Sequence, residues 1–151
     1  EFNMNKYVID KSSISRSLRP KKNILQIIDN KIMNSLDLQL RKKKLDQIRI
    51  CLHSDKNTKI HQMIILQKKK FKAEIKKHPL KDKSYFNISG RQIIRIFDKK
   101  KKIKRILKLN NKNKIIWIPK NTIHQNISLT KSLHIETING PFIRNKDRII
   151  Y

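Results

Sequence analysis

Apolar positions along the chain fall into three regimes. From residue 23 to 36, Ile24, Ile27, Ile28, Ile32 and Leu36 recur at helical spacing, which predicts a helix opened by Asn23 as its N-cap. Between 37 and 112 the spacing is mixed. Leu45 to Leu52 (LDQIRICL) alternates as a strand would, although a helical turn also fits it. Lys59 to Pro79 puts Ile60, Met63, Ile64, Phe71 and Ile75 on one helical face, with lysines and His78 crowding the end that Pro79 closes. Ile93, Ile94, Phe97, Ile103, Ile106 and Leu107 predict a second long helix or two shorter ones, with Lys99–Lys102 on the solvated face. After the turn signal Asn110–Lys114 the period changes to two. Ile115–Ile118 reads as a short buried strand, and Ser132–Ile138 (SLHIETI) as an alternating one. Asn139-Gly140 then signals a hairpin, and 142–150 (FIRNKDRII) returns as its partner, entered at Pro141.

Charge changes this picture most. Lys and Arg number 38 against 11 Asp and Glu, a formal net charge of +27 spread from Arg16 to Arg148. Such an imbalance predicts a polyanionic partner, and its spread favours nucleic acid over a membrane patch. The basic runs Arg41–Lys44, Lys68–Lys70 and Lys99–Lys102 each fit a solvated face or a phosphate contact; together they favour phosphate. Lys21 and Lys22 precede the first helix, where terminal N–H groups suit an anion. Aromatics at 6% are too few for a base-stacking platform. Lys, Ile and Asn share A/T-only codons, so their excess points to an AT-rich genome such as an organelle's, and part of the lysine surplus to drift.

Candidate chemistry is sparse. His53, His61, His78, His124 and His134 have no metal-ligand spacing with one another or with Cys51, and acidic residues stand singly. With no glycine-rich phosphate loop or nucleophile elbow, no catalytic, cofactor or metal site is expected, and the chain is expected not to be an enzyme. The lone Cys51 excludes an internal disulfide and suits a reducing compartment. No apolar run approaches the ~18 residues of a membrane span, so no membrane partner is expected. Glu1 instead of Met suggests a processed or miscoded start, or a short Glu-Phe scar before Met4.

Two blocks carry a resemblance. Ser15–Ile32 (SRSLRPKKNILQIIDNKI) resembles the opening of the small-subunit ribosomal protein nineteen family of bacterial and organellar type, with Ser-Arg-Ser, an apolar and a basic residue, then a helix. Lys21-Lys22-Asn23 stands where that family has Gly-Pro-Phe. Trp117, Lys120, Thr122, Ile123, Ile138, Asn139, Gly140, Phe142, Ile143 and Arg144 resemble its central Trp strand and Asn-Gly hairpin. Residues 37–112 replace a short loop of the family, and its Gly-His-Lys…Gly-Glu-Phe segment has no counterpart.

The resemblance implies an α+β fold: a small antiparallel sheet with a packed helix (23–36 and 113–151), a basic extended N-terminal arm (1–22) and a mostly helical insertion (37–112). It implies a structural protein of a mitochondrial small ribosomal subunit, bound in the matrix to rRNA of the subunit head beside protein thirteen, and not a homo-oligomer. Arg16, Arg19, Lys21, Lys22, Lys31, Lys120, Arg144 and Arg148 would meet RNA; Trp117 would pack in the core or stack on an unpaired base. A DNA- or RNA-coating protein without a ribosomal role is the alternative.

Overall fold

The computed structural model describes residues 6–10, 16–22, 24–143 and 145–151. It is built from strands. The large sheet runs β1(Tyr7–Ile9), β2(Arg16–Pro20), β3(Gln47–Cys51), β4(Ile60–Gln67), β11(Ser132–Asn139), β6(Lys83–Ser89), β9(Ile115–Ile118). The small sheet runs β12(Ile149–Ile150), β5(Lys76–Lys77), β10(Ile123–Ser128), β7(Gln92–Phe97), β8(Ile103–Leu109). Pairing is antiparallel except for β2 with β3, which the intervening helix α1(Asn30–Lys42) makes parallel.

Helix α1 covers one face of the large sheet. Its N-cap is Asp29, whose carboxylate accepts from Ile32 N at 2.9 Å, and Arg41 and Lys42 occupy the last turn as the helix dipole favours. Leu36 and Leu40, four apart, pack on Leu18, Ile48, Ile50 and Leu66. The opposite face of that sheet turns toward the small sheet. Tyr85, Ile94, Leu109, Ile116 and Ile118 form one apolar cluster, and Cys51, Met63 and Ile65 another. Strand β4 is therefore buried on both faces, which explains its unbroken Met-Ile-Ile-Leu run.

This architecture corrects the expected α+β fold. Among the described residues there is one helix, and 37–112 supplies strands to both sheets instead of helices. The apolar spacing in 59–79 and 90–112 misled because β4, buried on both faces, carries an unbroken apolar run, and the isoleucines of β7 and β8 fall where either period fits; β-branching decides for strand. Lys99–Lys102 forms the turn of the β7–β8 hairpin, where Asp98 accepts from Lys100 N and Lys102 N and Lys101 takes φ 62°. The expected helix starts at Asn30, not 23, and Asn23 lies outside the described residues. The expected hairpin at Asn139-Gly140 does not form: β11 pairs with β4 and β6, and β12 joins the other sheet.

Candidate functional site

Alternation places a polar row between the sheets. In register across the large sheet, Met63, Glu136 and Tyr85 stand side by side, as do Ile65, His134 and Asn87. Lys83 lies two residues from Tyr85 and so shares its face. From the small sheet, His124, paired with Lys76 and Ile96, is followed at period two by Asn126 and Ser128. The sheets are stitched by polar contacts: Gln92 Nε2 donates to His134 Nδ1 at 3.1 Å, and Ser128 Oγ donates to Gln67 Oε1 at 2.6 Å.

At the centre Lys83, 1% exposed, lies 3.3 Å from Glu136 and 3.4 Å from the Tyr85 hydroxyl. Burial alone would raise the Glu136 carboxyl; Lys83, Lys76 and Arg49 more than reverse this and hold it well below the ordinary carboxylate range. Burial, then the Glu136 charge, pushes the Tyr85 phenol well up, so it stays protonated. Lys76 keeps part of its surface accessible, yet protein packs closely round its ammonium. That burial, with the Lys83 charge beside it, lowers Lys76 to about 7. Arg49 and Arg148 add to the positive field, Arg148 lying 3.7 Å from Glu74.

The histidines have defined tautomers. His78 Nδ1 lies 2.7 Å from the Asp147 carbonyl and His124 Nδ1 2.9 Å from the Thr122 carbonyl, and a carbonyl can only accept. Burial, reinforced by Lys83, lowers both to about 3, so the rings are neutral with the proton on Nδ1. Each therefore presents a bare Nε2 lone pair, and their ring centroids lie 6.0 Å apart. His134 is the reverse: Nδ1 accepts from Gln92, burial lowers the ring to about 4, and Nε2–H is the free donor. Nε2 of all three, with Oδ1 of Asn87 and Asn126, is buried without a protein partner. An unpaired buried polar atom costs roughly 1–3 kcal/mol. The arrangement thus offers four acceptors (Nε2 of His78 and His124, Oδ1 of Asn87 and Asn126), one donor and an excess of cations to a polar guest.

A divalent metal does not fit these residues. It needs at least three imidazole, thiolate or carboxylate ligands converging, and no three do so among the described residues. His78 and His124, their ring centroids 6.0 Å apart, face the ammonium charges of Lys83 and Lys76.

The residues expected to touch RNA are dispersed. Arg16 is half-buried in β2; Arg19 is tied to Asp10 at 2.6 Å; Lys21, Lys22 and Lys31 are exposed. Trp117, 62% exposed on β9, is not a core residue, and Lys120 is exposed just beyond it, its N–H donating to Asp82. Arg144 lies outside the described residues. Among the described residues of this set, Arg148 is the one whose charge acts on Lys76 and Lys83. Lys76, His78, Lys83, Tyr85, His124, His134 and Glu136 escaped sequence reasoning. A signal was present in the i, i+2 placement of Lys83, Tyr85 and Asn87, and of His134 and Glu136, which puts polar groups on one strand face.

No family model and no curated protein matches the chain. Solved structures do. KdgF from Halomonas sp. aligns with TM-score 0.52 and 14% identity over 66% of this chain and 83% of its own. The capsular polysaccharide assembling protein CapF from Staphylococcus aureus aligns with TM-score 0.51 and 17% identity over 62% of this chain and 26% of its own. These likenesses overturn the resemblance to ribosomal protein nineteen, and with it the ribosomal function, the rRNA and protein-thirteen partners and the mitochondrial ribosome. The physical reason is that the sheets enclose their own core and need no polyphosphate to complete it, while most lysines of the runs at 41–44, 68–70 and 99–102 face solvent. By architecture the chain is a cupin-like β-sandwich.

Proposed function

We propose that the chain binds a small hydroxylated carboxylate, of the sugar-acid class, between its sheets and acts on it by proton transfer. The observation that carries this reading is the group of buried, unpartnered Nε2 atoms of His78, His124 and His134 beside Lys76 and Lys83. Ligand hydroxyls donate to the lone pairs of His78 and His124. A ligand carboxylate answers the cationic excess that Glu136 alone leaves unbalanced. The neutral imidazoles are bases, and the Tyr85 phenol and His134 Nε2–H are proton donors within the same enclosure. A fold shared with KdgF and CapF is compatible with an enzyme, against the expectation of a non-catalytic protein.

The test is thermal unfolding with gluconate and with glucitol, its uncharged counterpart. Gluconate raises Tm in proportion to the logarithm of its concentration, and glucitol does not. Equal effects, or none, would overturn the assignment.

A further inference from the structure

Lys76 has a place in the interior that ion pairing does not use. It stands on β5 directly opposite His124, one of the two imidazoles with a bare Nε2, and protein surrounds its ammonium near Lys83 and Glu136. Lys83 holds Glu136 at 3.3 Å, Lys81 holds Asp147 at 2.6 Å and Arg148 reaches Glu74. Among the described residues the Lys76 side chain has no hydrogen bond or ion pair, and part of its surface remains accessible. An amine in that position is close to a charged neighbour, desolvated and unclaimed, the combination that makes lysine a nucleophile.

We propose that Lys76 is a covalent catalytic residue that condenses with the carbonyl of a small keto or aldehydo acid to form an imine. The proposal rests on the binding reading above, since a carboxylate brings the carbonyl to the amine. The free amine attacks the carbonyl carbon, a C–N bond forms, and the carbonyl π pair moves to oxygen. One amine hydrogen passes to that oxygen to give the carbinolamine. The nitrogen lone pair then forms C=N as the C–O bond breaks, and the oxygen leaves as water carrying both amine hydrogens. No oxidant or reductant enters. His124, opposite Lys76 in register, is the base placed to carry the proton between nitrogen and oxygen.

The lowered Lys76 makes the reaction selective. At pH 7 about half of an amine with a value near 7 is free base, against roughly one part in a few thousand for an ordinary lysine. The experiment incubates the intact protein with pyruvate and cyanoborohydride at pH 7 and maps the added carboxyethyl group by peptide mass spectrometry. Lys76 should carry at least about tenfold more label than any other lysine. Lys83→Met, which removes the neighbouring cation, should reduce that preference, and Lys76→Arg should abolish the dominant site. Label spread over surface lysines without preference for Lys76 overturns the proposal from the unaltered chain, whether or not the variants fold. Gluconate stabilisation without Lys76 labelling sinks the imine alone. Lys76 labelling without gluconate stabilisation sinks the hydroxy-acid reading and leaves the amine chemistry.

Discussion

Acid should unfold this protein steeply, and histidine, not carboxylate, sets the slope. Burial lowers His53, His78, His124 and His134 to about 4, about 3, about 3 and about 4. In the unfolded chain each returns to about 6.5. Below that value the unfolded state binds protons that the folded state refuses, so stability drains as pH falls and continues to drain until the folded values are reached. Four such groups give a limiting slope of about 5 kcal/mol per pH unit, at about 1.36 kcal/mol each. His61, also buried and lowered, steepens it further. Against a total of about 5–15 kcal/mol for a domain of this kind, the folded state should be lost within a few units below pH 6. Urea unfolding followed by far-ultraviolet circular dichroism at pH 7, 6, 5.5 and 5 measures the slope. His134→Gln should lower it by about 1.4 kcal/mol per unit. A stability that changes by less than about 1 kcal/mol between pH 6 and 5 would mean that the imidazoles are solvated, and the enclosed cluster would be wrong.

Other variants probe the remaining features. Glu136→Gln leaves Lys83 buried with no carboxylate and should cost about 3–5 kcal/mol in urea unfolding, whereas Lys83→Met with Glu136→Leu should cost little or stabilise. Lys76, lowered to about 7, binds fewer protons folded than unfolded between pH 7 and 10, so stability should rise with pH across that window and Lys76→Met should flatten the rise. In Gly140→Ala the new Cβ would meet the Thr58 carbonyl oxygen at 1.7 Å, and backbone must move; a loss of at least about 1–3 kcal/mol is expected from thermal unfolding. Trp117→Ala should change stability by no more than about 0.5 kcal/mol, because the ring is largely solvent-exposed.

The parts of the fold that alternate cleanly were legible in the sequence. Ile115–Ile118 and Ser132–Ile138 read as strands and are strands, and Leu45–Leu52, open to strand or helical turn, holds β3 at Gln47–Cys51. The helix was legible in kind but displaced, because Ile24, Leu25 and Ile27 continue its periodicity while lying exposed before Asp29. The hairpins were hidden for a compositional reason. The chain has two glycines, so left-handed turn positions fall to Lys44, Lys70, Lys101, Asn121 and Asn145. A lysine run at a turn looks like a solvated helix face when the usual Gly and Pro punctuation is missing. The site stayed out of sight because its groups come from β5, β6, β10 and β11, which meet only after two sheets have closed. Histidines without mutual spacing give no sign of a metal site or of one another. Their bare lone pairs depend on carbonyls of Thr122 and Asp147, which no residue pattern announces.

The open margins of the two sheets bear on how copies of the chain treat one another. Strand β8 ends the small sheet and β9 the large one, and they expose Ile103, Ile106 and Ile115 beside unclaimed backbone groups. Flanked by neutral residues, such margins would recruit further strands and grow fibres. Lys102, Lys104, Arg105 and Lys108 crowd the β8 margin, so two molecules approaching there repel before they can zip together. The cationic surplus then serves dispersal, and its protection should fade as added electrolyte shortens the reach of that repulsion to a few ångströms.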